Sequence, residues 1–451
     1  MIGMSLAKAA ALLGGSLQGR DQRFDGCAID SRCIARGALF VALRGDRCDG
    51  HDFVAHAAQR GAAAALVSRP QTGALPVIEV PDTQQGMTGL AGAWRDRFEL
   101  PLIGVTGSVG KTTVKEILAA IYGVDALATR GNLNNEIGVP LTLLRLGARH
   151  RVAIIEVGAN HPGEVARIAA TVRPTVGLIT CCGAAHLEGF GDLNGVARAK
   201  GELLAALAPD GVAVLNADDP RTPLLREIAG ARRVVSFALD SEATVRANWR
   251  PTPAGGAVRI DTPLGTISAQ LRLAGRHNAA NAAAAVAAVV AAGGVDAAAI
   301  AHGLESVRPT PGRLHPLPGV RGATLIDDSY NANPLSVEAA LAILASYPAP
   351  RWLVLGDMAE LGDAAREAHA AAGDAARRQG VERLYAVGDL SRSAVRSFGA
   401  GGVHFESVEL LIDALRQDLR AATVVLVKGS RAARMERVVE ACAATRSSAQ
   451  G

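Results

Sequence analysis

Short apolar runs alternate with stretches of helical spacing along most of this chain. Runs at 102–105, 152–157, 175–180, 211–216 and 233–238 are bounded by turn residues and separated by amphipathic segments. That rhythm predicts strand–helix repeats and a parallel, doubly wound sheet. From 243 to 273 the pattern changes to strand–turn–strand with Pro and Gly punctuation, which predicts an antiparallel appendage before an alanine-rich helix at 279–292. Upstream, strands are predicted at 37–43, 63–67 and 76–80, with helices over 51–59 and 84–98 and an amphipathic helix at the N-terminus. Downstream of a Pro/Gly-rich joint at 307–313 the α/β rhythm resumes, with strands at 323–327, 352–356, 383–387, 403–405 and 423–427. The chain therefore reads as α/β with three domains, at 1–98, 99–308 and 309–451, the last a smaller Rossmann-like unit.

Composition narrows the function classes. A chain of 451 residues exceeds one compact core, and 49% hydrophobic with 20% charged residues is ordinary for a globular protein. Aromatic residues make up only 3%, and the net charge is +4 with both signs interspersed. Neither base-stacking platforms nor a nucleic-acid footprint is expected. The six cysteines form no C-x-x-C pair, which suits reduced thiols and a cytoplasmic location. The helix at 279–292 is short and interrupted by Asn281, so it is expected to be buried rather than membrane-spanning. A monomer is the expectation by default.

The densest chemistry lies at IGVTGSVGKTTVKE, residues 103–116. An apolar strand runs into Thr106, Gly107, Ser108, Val109 and Gly110, then Lys111, Thr112 and a helix. Glycines there free the backbone to curl successive N–H groups around phosphate oxygens, and the helix N-terminus with Lys111 adds positive charge. Thr112 suits a Mg²⁺ ligand. Val105 occupies the place of the first glycine in the strict phosphate-loop pattern, leaving the variant T-G-x-x-G-K-T. Glu156 ends the next apolar strand, on the edge of the sheet where ligands bind, and can serve as a metal carboxylate. His186 follows the strand after that. Lys200 lies in an apolar helix, where desolvation would loosen its proton. Taken singly, His186 also fits a satisfied core histidine and Lys200 a snorkelling helix lysine.

Taken together, T-G-x-x-G-K-T, the strand-ending E-x-G, and AHLEGFG followed by ARAKGE resemble the Mur ligase superfamily of ATP-dependent amino-acid and peptide ligases. The likeness spans nearly the whole chain. It includes AIDSR and GALFVALRGDRCDGHDFVAHAAQRGAAAALV in the first block, and GNLNNEIGVPLTLL and GRHNAANAAAA in the second. DDSYNANPLSVEAAL, LGDMAELG and LVKGSRAARME complete it in the third. The combination of AHLEGFG, SYNANP, LGDMAELG and VKGSRAARME is most similar to the type that couples D-alanyl-D-alanine to UDP-N-acetylmuramoyl-tripeptide. The D-N-P-R signature of ligases adding meso-diaminopimelate is missing from the third block, and the similar Asp218–Arg221 stretch is expected to form a turn. Thr180-Cys181-Cys182-Gly183-Ala184 departs from the family's Thr-Asn-Ile-Gly-Pro.

The resemblance implies a substrate-binding first domain for the UDP moiety, a central ATPase-type domain, and ATP-driven formation of an acyl phosphate that the dipeptide amine attacks. It implies catalytic roles for Lys111, Glu156, His186 and Lys200. One Mg²⁺ would be held by Thr112 and Glu156 and a second by His186 with Lys200, the latter N-carboxylated as in relatives. ATP would meet residues 106–113 (Thr113 included), Asn278, Asn281, Arg313 and Asp328. Ser31, Arg32, Gly45, His51, Asn134, Asn135, Tyr330, Asn331, Asn333, Lys428 and Arg431 would touch the UDP-substrate or the dipeptide. Such chemistry must exclude water, so the third block is expected to rotate closed about hinges near 98–101 and 309–312. A ligase adding a single amino acid to the muramoyl peptide or glutamate to a folate, a phosphate-loop switch or transport ATPase, and a scaffold with a degenerate site are the alternatives.

Overall fold

The computed structural model describes residues 1–45, 48–73, 75–184, 187–252 and 255–444. Three main sheets follow one another along the chain. In the first block, a sheet of five strands has the spatial order Ser16–Gln18, Val77–Glu79, Ala64–Val67, Leu39–Val41 and Cys27–Ala28, parallel except for its first strand. The N-terminal stretch is only partly the expected helix. Gly3–Ser5 pairs antiparallel with Arg23–Asp25, and the helix Leu6–Leu13 starts only after Ser5 caps it.

The central sheet has nine strands. Its parallel part runs Ala126–Ala128, Val152–Glu156, Leu102–Thr106, Val176–Ile179, Val212–Asn216, Arg233–Ala238 and Val245–Thr252. The antiparallel strands Gly255–Thr262 and Gly265–Leu271 extend it as expected. Leu102–Thr106 is buried along its whole length, as an interior parallel strand covered on both faces must be. The helix Arg276–Ala292 lies against this sheet, with Ala279 and Ala282 to Val289 buried. Alanine's small side chain lets the helix sit close to the strands, which explains its composition. No described helix is long and apolar enough to cross a membrane.

The third sheet has the order His315–Pro318, Thr324–Asp328, Val424–Lys428, Arg351–Gly356, Arg383–Val387 and Gly402–Phe405, parallel except for its first strand. The joint before it is fastened by Asp327. One oxygen accepts the Gly312 N–H at 2.8 Å, and the other accepts the Ser329 hydroxyl at 2.5 Å. The third block rests on the second. The Glu188 N–H donates to Glu360 O at 3.3 Å, and a methyl group placed on Gly183 would stand 2.8 Å from Leu335 Cδ2.

Candidate active site

Leu102–Thr106 pairs in parallel with both Val152–Glu156 and Val176–Ile179. Their register sets Glu156 beside Val105 and Ile179 beside Thr106, so three strands deliver their carboxyl ends side by side. The phosphate loop, Glu156 and the segment from Thr180 share that edge.

Main-chain geometry shapes the loop. Gly107 and Gly110 have φ of 143° and 85°, in the region that favours glycine. A methyl group on Gly107 would overlap Thr180 Oγ1, and one on Gly110 would overlap Asn281 Oδ1. The helix Lys111–Tyr122 starts at Gly110 without a side-chain cap, whereas the helices opening at Leu6, Thr83, Leu193 and Ala297 are capped by Ser5, Asp82, Asp192 and Asp296. Its leading N–H groups therefore point at the loop with no internal acceptor, the arrangement that binds phosphate. Lys111 folds over the loop, donating from Nζ to Gly107 O at 2.5 Å. Burial lowers its proton affinity; Glu156 opposes that, and Arg313 from the third block adds to it.

Glu156 is 2% exposed, and both its oxygens are engaged. Thr112 Oγ1 donates to Oε2 and Asn134 Nδ2 donates to Oε1, each at 2.9 Å. The Glu156 N–H donates to Thr129 Oγ1 at 3.0 Å. Asn134, expected at the substrate, is thus held against the carboxylate. Asn135 turns back to its own chain, accepting the Gly138 N–H at 2.8 Å.

Lys200 is 1% exposed, and its Nζ has no hydrogen-bond partner. It lies 5.2 Å from the centre of the Phe190 ring. Burial, with Lys111 adding, pulls its pKa down to about 7. An unpartnered buried amine that is half neutral near pH 7 is both costly to the fold and nucleophilic. His186 lies outside the described residues. Among those described, no three His, Cys, Asp or Glu side chains converge as a ligand set.

The stretch leading towards His186 is stitched to the phosphate loop. Ser108 N–H donates to Cys181 O at 2.9 Å, and the Ser108 hydroxyl donates to Gly183 O while accepting the Gly183 N–H, both at 2.9 Å. Asp219 accepts the Cys182 N–H at 2.6 Å and the Arg221 N–H at 2.8 Å, so the Asp218–Arg221 stretch is a turn that braces this segment.

Across the loop, Asn281 donates to Asn278 Oδ1 at 3.0 Å, and Asn278 donates to Ala274 O at 2.7 Å. Asn281 Oδ1 is the atom that faces Gly110. From the third block come Arg313, whose guanidinium lies 4.3 Å from the Tyr330 ring centre, and Arg431, at 6.0 Å from the same ring. Asp328 is paired internally: Lys428 Nζ donates to its Oδ2 at 2.6 Å and to Asn331 O at 2.9 Å. Asn333 caps the helix Pro334–Ala345 with Ser336 in a reciprocal box.

In the first block, Ser31 Oγ shares a hydrogen bond with His56 Nδ1 at 2.9 Å, while Arg32 is exposed and bonded to Asp30 at 2.8 Å. His51 is buried with both ring nitrogens occupied. Nδ1–H donates to Asp49 at 2.5 Å, and Nε2 accepts the Ser68 N–H at 2.9 Å. It braces the loop that begins at Gly45, which itself donates to Cys48 O at 3.0 Å.

Two further residues lie inside the quoted motifs but carry no role there. Lys115 is buried behind the loop, pairs with Glu116 and donates to Thr129 O at 3.0 Å. Only its place on the inward face of an amphipathic helix could have betrayed it. His277 is held near pKa 4 by burial, with Lys428 of the third block adding. Its sequence signal is its place directly before Asn278.

Family profiles match in three stretches: "Mur ligase family, catalytic domain" at residues 23–91, "Mur ligase middle domain" at 105–289, and "Mur ligase, glutamate ligase domain" at 312–431. The chain is 43% identical over 448 residues to UDP-N-acetylmuramoyl-tripeptide--D-alanyl-D-alanine ligase of Escherichia coli, covering 98% of both chains. This chain belongs to the Mur ligase family. Among solved Mur ligases, MurF from Acinetobacter baumannii superposes with a TM-score of 0.90 at 33% identity, covering 98% of each chain. MurF ligase from Thermotoga maritima in complex with ADP gives 0.80 at 27% identity, over 92% of this chain and 96% of that one.

Proposed function

We propose that this Mur ligase joins D-alanyl-D-alanine to UDP-N-acetylmuramoyl-tripeptide at the expense of ATP, in peptidoglycan precursor synthesis. The observation that carries the reading is full-length similarity to ligases of that name, with an uncapped phosphate loop beside the Thr112–Glu156–Asn134 cluster and the orphaned Lys200.

In this reading the loop N–H groups and Lys111 hold the ATP phosphates, and Lys111 follows the charge that moves during phosphoryl transfer to the tripeptide carboxylate. The resulting acyl phosphate is attacked by the dipeptide amine, and phosphate leaves. Thr112 and Glu156 would hold one Mg²⁺, and Lys200 in its N-carboxylated form would hold a second with His186; the ions would offset repulsion between the two anions. Asn134 fixes the orientation of Glu156, and Phe190 shields Lys200 from water. Arg313 and Asp328 would complete the nucleotide side from the third block, where Tyr330, Asn331 and Arg431 would meet the dipeptide and the buried Lys428 and Asn333 would support them from behind. Ser31, Arg32 and the loop from Gly45 to His51 serve the UDP end.

The test is ATP-dependent coupling of UDP-N-acetylmuramoyl-tripeptide with a panel of D-dipeptides and single amino acids. D-alanyl-D-alanine is the expected acceptor, with one ADP and one phosphate released per bond. Preference for a single amino acid would overturn this assignment.

A further inference from the structure

A second cationic site lies away from the phosphate loop, at the outer edge of the central sheet. An open hollow of about 440 Å³ is bounded by the edge strand Ala126–Ala128 and the chain on either side of it. Ala126 and Ala128 both line it, as residues two apart on a strand must if one does, and their small side chains leave it open. Arg130, Arg145 and Arg149 also line it.

The charge there is uncompensated. Among the described residues, none of these arginines forms an ion pair, and Arg145 Nη1 is buried without any hydrogen-bond partner. Arg149 Nε approaches His150 Nε2 at 3.3 Å, but His150 Nδ1 already accepts the Gly147 N–H at 3.0 Å. A neutral imidazole has one acceptor nitrogen, so the longer approach is not a second bond. Glu116, the acid on the rim, is committed to Lys115. Burial lowers the proton affinity of Arg145, and Arg130 and Arg149 lower it further, as expected of like charges crowded together.

Three guanidinium groups without an ion-pair partner among the described residues, Arg130 and Arg149 exposed and Arg145 half-buried, surround a small-molecule-sized hollow and favour an anion with several acceptor oxygens. Their planar forks match phosphoryl oxygens two at a time. We infer that this hollow is a binding site for a small phosphoryl-bearing anion, either free phosphate or a polyphosphate group, separate from the nucleotide site. Thr129 forms part of its floor and bonds the Glu156 N–H, so an occupant would sit one residue behind the metal carboxylate.

The experiment uses the full chain saturated with a non-hydrolysable ATP analogue and Mg²⁺, so that the phosphate loop is filled. Inorganic phosphate and tripolyphosphate are then titrated separately by calorimetry. One further equivalent is expected to bind, with affinity at least tenfold weaker in Arg145→Gln/Arg149→Gln while affinity for the ATP analogue is unchanged. Arg149→Gln alone, at an exposed position, guards against misfolding and should show a smaller loss of the same kind. Tighter tripolyphosphate identifies a polyphosphate ligand; tighter phosphate identifies the free ion. Absence of the further equivalent, or equal affinity in parent and variants, overturns the inference. Neither outcome depends on which substrates the ligase couples.

Discussion

Asn134 Nδ2 donates to Glu156 Oε1 at 2.9 Å, opposite the Thr112 hydroxyl on the other oxygen. The asparagine acts on the carboxylate whatever else it touches. Asn134→Ala should leave Glu156 in place but free to turn, raising the Mg²⁺ concentration for half-maximal activity by about 10- to 100-fold. A magnesium titration at saturating ATP measures this, and an unchanged midpoint would refute the orienting role.

Lys200 should need carbon dioxide. With its pKa drawn down to about 7, the amine is substantially neutral at physiological pH and free to add CO₂. Activity should fall in CO₂-depleted buffer and return with bicarbonate. Lys200→Ala should lose at least about 100-fold in kcat and regain part of it with short carboxylates such as acetate. Full activity of the variant without rescue would exclude the carboxylated lysine.

Gly110→Ala should disable nucleotide binding rather than folding. The new methyl overlaps Asn281 Oδ1 at a φ of 85°, and strain of about 1–3 kcal/mol at the phosphate loop corresponds to roughly 5- to 150-fold in affinity. Binding of a fluorescent ATP analogue measures the loss; a thermal melt separates it from unfolding.

His277 should make the molecule acid-sensitive. Its folded pKa, near 4, lies below the unfolded value near 6.5, so the unfolded chain takes up the proton first as pH falls. Stability should be level above about pH 6.5 and decline between there and pH 4, by about 1–2 kcal/mol at pH 5. Urea titrations at pH 7 and pH 5 should show this difference, and it should shrink in His277→Gln. Equal pH dependence in both proteins would count against burial of the neutral ring.

Closure can be read in solution. The Glu188–Glu360 and Gly183–Leu335 contacts describe a third block set down on the second. Small-angle scattering should show the radius of gyration decreasing when nucleotide and UDP-substrate are added together. An envelope indifferent to both ligands would contradict hinge motion at 309–312.

Much of this architecture was legible because interior parallel strands are continuous apolar runs, as at Val152–Glu156 and Val424–Lys428. The edges were not. His315–Pro318 carries two prolines, a composition that argues against a strand unless the strand is at an edge, where this one lies. Ala126–Ala128 is three residues of alanine and leucine with no alternation to read. At the site, the meeting of Thr112 with Glu156 was legible because adjacent parallel strands deliver their carboxyl ends to one edge of the sheet. The internal pairings were not, since Lys428 with Asp328 joins residues a hundred positions apart and nothing local announces it.

The pair Cys181–Cys182, where this chain leaves its family's wording, sits at a place where the site borrows chiefly the peptide, the one side-chain bond being a long one from the Cys181 thiol to Val109 O at 3.9 Å. Ser108 takes the carbonyl of one cysteine, and Asp219 takes the amide of the other. Every residue except proline offers both groups, so the lettering there can drift while the scaffolding beneath the loop stays whole. The freedom is one of spelling and not of volume: Cys182 is packed in the central core and burial raises both thiols, so what replaces them must stay small.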